Sequence, residues 1–273
     1  MSTYAFPSGG LPSQNQWPES HAIFTESYAV IPEICQTDIV TSLLPGWVGA
    51  KAWILARPLT GFAETFAQYA VELAPEGGSA DPEPERDAQA AIFVAKGTAV
   101  LKMGAESFTL SAGTFAYVPA GLRWSIWNRG DEDCGFHWIR KHYDVVEAEF
   151  QLGPVVIHES EVPRNPMPGC DGLWMTQRFL DPLNLAYDMH VNIVTFQNGG
   201  RIPFAETHVM EHGLYVLEGH GKYLLNKDWV EVGPGDFMWL RAFCPQACIA
   251  EGDGPFRYLL YKDVNRHPKL TLP

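Results

Sequence analysis

The chain has 273 residues, 46% of them hydrophobic and 19% charged, with a formal net charge of −13. The length exceeds the ~100 to 150 residues of a typical domain and the composition supports a sizeable core, which excludes a disordered or low-complexity chain. The acidic balance repels phosphate backbones and anionic lipid surfaces, so neither nucleic acid nor membrane is an expected partner. With 21 Pro, 25 Gly and 12% aromatic residues, the expected class is all-β.

Residues 1–20 are rich in Ser, Gly, Pro and Gln without hydrophobic period and read as a loose N-terminal arm. The first basic residue is Lys51 and no 18-residue apolar run follows, so neither a secretory signal nor a bilayer span is expected. Five scattered cysteines (Cys35, Cys134, Cys170, Cys244, Cys248) are an odd number in a chain large enough to fold unstapled. They read as reduced thiols of a cytoplasmic protein.

From Ala29 to Leu59 the sequence reads as strands punctuated by Pro32, Pro45, Gly46 and Pro58. Beyond that the chain repeats itself at a spacing of 122 residues: Gly77, Gly78, Gly97 and Gly113 fall on Gly199, Gly200, Gly219 and Gly235. Ile92 to Val94 likewise overlie Leu214 to Val216, and each copy carries a turn between strand-like runs, at Met103 to Glu106 and at Leu225 to Asp228. A repeat of this size is a whole domain rather than a solenoid unit. Two related β-domains follow, divided near residue 150, with Pro163, Pro166, Pro168 and Gly169 marking a loop at the start of the second.

The second copy carries the chemistry. Between Gly200 and Gly219 lie Glu206, His208 and His212. On a strand, Glu206 and His208 face the same side, and His212 can join them across the next turn. Two imidazoles and a carboxylate inside a barrel suit a metal, with a fourth ligand due from another strand; the run from Gly235 to Gln246 offers one.

These spacings resemble the two cupin motifs, with the ligand types permuted: Glu206 where a His is usual, His212 where a Glu is usual, and Gln246 where the last His is usual. The first copy has Pro84, Arg86, Ala90 and Trp124 at the four positions but keeps Gly113, Pro119, Gly121 and Asn128 of the structural pattern. The permuted set, followed by Tyr258 and by Tyr261-Lys262-Asp263-Val264-Asn265-Arg266, resembles the bicupin family of (S)-ureidoglycine aminohydrolases. The resemblance is densest over residues 188–267.

The resemblance implies two tandem double-stranded β-helix (jelly-roll) barrels: residues 21–150 a metal-free scaffold barrel, residues 151–273 the barrel with metal and active site, in a homo-oligomer. It implies Mn(II) held by Glu206, His208, His212 and Gln246, and a small-molecule substrate, ureidoglycine, contacted by Glu206, Gln246, Tyr258 and Lys262. The reaction implied is hydrolytic release of ammonia to give ureidoglycolate in allantoin and purine catabolism. Glu206 and Lys262 are then the catalytic candidates, Lys262 pairing with the substrate carboxylate and Glu206 relaying a proton. A mixed oxygen and imidazole set suits Mn(II) or Fe(II). The alternatives on one scaffold are an Fe(II) dioxygenase, an isomerase or a non-catalytic binding bicupin.

Other residues carry plainer expectations. His208-Val-Met-Glu211-His212 fits the inverted zinc-peptidase pattern, but Gly213 and a β-rich run follow at once, so Glu211 reads as a solvated turn residue. Cys244 and Cys248 share the inward parity of Gln246 as small lining. Arg140 overlies Lys262 and, with Arg86, makes a second anion site conceivable. Arg241 and Phe243 replace the usual Pro and Gly of the second motif, which puts that turn in question.

Overall fold

The computed structural model describes residues 22–36, 41–58, 62–145 and 152–264. The expected arm at 1–20, most of the surroundings of residue 150, and Asn265 and Arg266 lie outside the described residues. In chain order the first half contributes β1 (Ile23–Phe24), β2 (Tyr28–Ile31), β3 (Trp47–Ala56), β4 (Ala67–Ser79), β5 (Ala88–Lys96), β6 (Thr98–Met103), β7 (Glu106–Ser111), β8 (Thr114–Val118), β9 (Trp124–Trp127) and β10 (Cys134–His142). The second half contributes β11 (Val155–His158), β12 (Asn165–Pro166), β13 (Trp174–Arg178), β14 (Met189–Phe196), β15 (His212–Glu218), β16 (His220–Leu225), β17 (Asp228–Val232), β18 (Phe237–Leu240), β19 (Gln246–Glu251) and β20 (Phe256–Asp263).

The protein is all-β, two tandem jelly-roll barrels built on the repeat. Strands β4, β6, β7, β9 and β10 begin 122 residues before β14, β16, β17, β19 and β20. The turns between β6 and β7 and between β16 and β17 are two-residue turns, with Gly104 (φ 57°) and Asn226 (φ 59°) in the left-handed region that short hairpins require. No helix among the described residues is long and apolar enough to cross a membrane.

The sheets do not divide at residue 150. Strand β2 pairs with β18, Ile31 opposite Phe237, so β1 and β2 belong to the sheet of the second barrel. In return β11 pairs with β8, Val155 opposite Tyr117. Each barrel is completed by a strand that precedes the other repeat, and the expected span 21–150 is therefore not a self-contained unit. An exposed strand edge is covered by this exchange in both barrels.

Strand parity sets the layers. On β20 the odd residues Leu259 and Tyr261 face the first barrel, where Tyr261 stacks on Phe66 at 4.0 Å between ring centroids, and Phe115 likewise stacks on Phe179 at 4.5 Å. The even residues Tyr258, Leu260 and Lys262 face the interior of the second barrel. The first barrel's interior is filled by Leu101, Met103, Trp124, Phe136 and Trp138. Trp124, at the position equivalent to Gln246, packs edge-on against Trp138 at 5.6 Å.

Candidate active site

One pocket of about 100 Å³ in the second barrel is lined by Glu206, His208, His212, Gln246, Tyr258 and Lys262 together. Its size is well below the ~300 to 1,000 Å³ of drug-sized sites, which suits a small polar metabolite. His212 opens β15, Gln246 opens β19, and Tyr258 and Lys262 lie on β20, with Lys262 directly opposite His212 across the ladder.

Glu206 and His208 are not on a continuous strand as expected. The turn at Gly199 and Gly200 and then Pro203 interrupt it, leaving isolated bridges at Arg201 and Glu206. Glu206 is nevertheless anchored by reciprocal backbone bonds to Gln246, both 2.9 Å. His208 is fixed through its carbonyl, which accepts from Phe243 N at 2.6 Å. Phe243 adopts φ +64°, and Gly121, its equivalent in the first repeat, has φ +80°. The turn of the second motif therefore keeps the glycine-type backbone with a bulky residue in it, a strained choice.

His208 Nε2 lies 3.3 Å from Glu206 Oε1, and the two imidazole centroids are 5.0 Å apart. His212 Nδ1 is 3.0 Å from the Met210 carbonyl oxygen, which can only accept. The ring proton of the neutral imidazole is thus held on Nδ1, and Nε2 keeps its lone pair. Gln246 Oε1 accepts from Tyr223 OH at 3.0 Å, and Tyr223 OH is 3.4 Å from Tyr258 OH. Among the described residues no three His, Cys, Asp or Glu are gathered closely enough to hold a metal by themselves. The donor set here includes an amide, and its chemistry fits a divalent cation: a neutral imidazole with its tautomer fixed, a second imidazole, a carboxylate and an amide oxygen on one pocket.

Several expectations are corrected. Glu211 is not solvated: it is 5% exposed, because the turn it sits in packs against residues 64 and 65 of the first barrel. Arg140 is not free for an anion, since Glu83 takes its guanidinium in a two-pronged pair, with Tyr69 OH at 3.0 Å from Nη1. Arg86 is exposed at the mouth of the first barrel. Cys244 and Cys248 are free thiols in the core of the second barrel rather than pocket lining. Sequence reasoning missed Tyr223, Asn192 and Arg178, which also line the pocket. Tyr223 had a legible signal in its inward parity on a strand of the second repeat; Asn192 and Arg178 fall on no motif.

Burial holds three imidazoles neutral. It pushes His212 down to about 3, with His208 and Lys262 adding to the effect, and His137 and His190 each to about 4. Burial acts oppositely on the Asp263 carboxyl, raising it to about 6. An unfolded chain protonates imidazole near ~6.5 and Asp near ~3.9. Between pH 6.5 and 4 the unfolded state therefore binds extra protons at three histidines, while the folded state binds one extra at Asp263. The net sign is positive, so stability is expected to fall as pH drops from 6.5 to 4. Urea midpoints of the chelated protein across that range check this; a flat or rising midpoint on acidification contradicts it.

The cupin domain family matches residues 69–140 and 192–261. The chain is 32% identical to the (S)-ureidoglycine aminohydrolase of Escherichia coli (strain K12), over 84% of this chain and 86% of that protein. It is 32% identical to the (S)-ureidoglycine aminohydrolase of Arabidopsis thaliana, over 84% of this chain and 74% of that one. A crystal structure from Pseudomonas aeruginosa, of a protein whose name refers to induction by glyoxylate, superposes with a TM-score of 0.90 at 52% identity, covering both chains completely. By the cupin match in both repeats and by these relatives, the chain belongs to the cupins and, among them, to the bicupin family of (S)-ureidoglycine aminohydrolases.

Proposed function

We propose that the protein hydrolyses (S)-ureidoglycine, releasing ammonia and leaving ureidoglycolate, a step of purine catabolism. The observation that carries this reading is the convergence of all six candidate residues on one small pocket in a chain of this family. Glu206, His208, His212 and Gln246 are the residues that would hold Mn(II). When bound, such an ion supplies Lewis-acid polarisation of substrate or water.

The chain's own groups have defined tasks. Ureidoglycine carries a carboxylate, an ammonium and a ureido group on one carbon. Lys262 presents a compact cation to the carboxylate. Tyr258, whose hydroxyl is buried and pushed well above its ordinary range by desolvation, stays a neutral donor for the ureido oxygen or the carboxylate. Glu206, at the pocket wall beside His208, accepts a proton from the attacking water as the C–N bond breaks and passes it to the ammonia released. Holding three substituents of the reacting carbon at separate walls fixes the face of attack, which gives one enantiomer of product.

The test is ammonia release from freshly generated ureidoglycine, with product chirality, on chelated protein before and after addition of manganese. Metal-dependent release above the spontaneous rate with a single enantiomer is the expected result. Release at the spontaneous rate with racemic product, from folded and metal-loaded protein, overturns the assignment.

A further inference from the structure

Arg178 is the last residue of β13 and continues the inward parity of Trp174 and Thr176, all three lining the pocket. Its cross-strand partner Asn192 also lines the pocket and pairs onward with Leu260, two residues before Lys262 on β20. Arg178 and Lys262 are thus the two Lys or Arg side chains that line this pocket, carried by β13 and β20 on either side of β14. Neither forms an ion pair among the described residues, whereas Arg140 at the mouth of the first barrel is closed by Glu83. Arg178 is exposed at the end of β13 and Lys262 is half-buried on β20, so both charges stay open to an anion entering the cavity from solvent.

We propose that Arg178 is a further substrate-binding residue, forming with Lys262 a two-cation clamp on the carboxylate of the substrate. The identity of that carboxylate rests on the proposed reaction, whereas the clamp itself rests on the pocket. The planar guanidinium offers two parallel N–H donors to the two carboxylate oxygens, and the ammonium adds a point charge from β20, beyond β14. Bound this way, the carboxylate cannot rotate, so the ureido and amine substituents are delivered in a fixed order to the wall formed by Glu206 and Gln246. The clamp also defines a substrate class: small acids with the carboxylate on the reacting carbon, not their amides.

The test uses hydantoate (N-carbamoylglycinate), a stable analogue lacking the amine, and its uncharged amide, titrated calorimetrically into full-length protein with and without manganese. Arg178→Met and Arg178→Lys are compared with wild type, and KM and kcat for ammonia release are measured separately. Wild type is expected to bind hydantoate in preference to the amide. Arg178→Met is expected to weaken hydantoate and raise KM by about 10- to 100-fold with kcat within about threefold, and Arg178→Lys to recover part of the loss. Unchanged hydantoate affinity and KM in Arg178→Met overturn the clamp, as does a wild type that binds acid and amide alike. Ammonia release retained in that case leaves the proposed reaction standing. Arg178-dependent hydantoate binding without any ammonia release does the reverse, removing the reaction and keeping the clamp.

Discussion

Replacing Glu211 with Ala is expected to cost about 4 kcal/mol of stability and to remove most activity in the fraction that still folds. The carboxylate is buried and saturated. Its Oε1 accepts from Glu64 N and Trp239 Nε1, both at 2.6 Å, and its Oε2 from Thr65 N at 2.9 Å and Thr65 Oγ1 at 2.5 Å. Its own backbone N–H donates to Asp263 Oδ1 at 2.7 Å. Truncation takes the acceptor from four donors, of which only Thr65 Oγ1 has another partner at hand, Tyr261 OH at 3.1 Å, and each buried donor left unsatisfied costs ~1 to 3 kcal/mol before water recaptures some of them. Glu211→Gln keeps the shape but turns an amide N–H₂ toward other donors, so about half the loss is expected. Because Glu211 precedes His212 and its partner Asp263 follows Lys262, the same bonds set the site. Urea unfolding and ammonia release measure the two effects; a Glu211→Ala protein within 1 kcal/mol of wild type contradicts this account of the junction.

Glu211 also marks the limit of what the sequence discloses. Read locally, it is a charged residue between a Met and a His ahead of a glycine, a pattern typical of exposed turns. Its donors lie in residues 64 and 65 and at Trp239, and no local period encodes those distant partners. The strand exchange is hidden for the same reason, since β2 and β11 have ordinary strand composition and only tertiary pairing decides which barrel they complete. What the sequence does expose is whatever is repeated or fixed in spacing. The 122-residue repeat predicts the paired strand starts, and the motif spacings bring Glu206, His208, His212 and Gln246 to one pocket. Parity on β20 carries Tyr258 and Lys262 inward together. Arg178 lacks both supports, a lone arginine at the end of a strand, and becomes legible only when the pocket shows which cations face each other.

Lys262→Met is expected to move activity and stability in opposite directions. Burial lowers the affinity of the Lys262 ammonium for its proton, and Arg178 lowers it further; Glu206 and Asp263 offset part of this without forming an ion pair with it. A cation held this way is a net cost to the fold, so an apolar residue of similar length is expected to stabilise the protein by about 1 kcal/mol. That corresponds to a rise of roughly 2 to 4 °C in Tm for a chain of this size. The same change removes a charge-assisted bond to the substrate carboxylate, worth ~2 to 3 kcal/mol, so kcat/KM is expected to fall about 30- to 150-fold. Lys262→Arg is expected to rescue little, because a planar fork does not fit the place of a compact ammonium beside Arg178. Thermal melts and ammonia-release kinetics on the same preparations decide the matter. A Lys262→Met enzyme within threefold of wild type shows that the carboxylate is held elsewhere, and a lower Tm shows that Lys262 has a stabilising partner instead of an unrelieved charge.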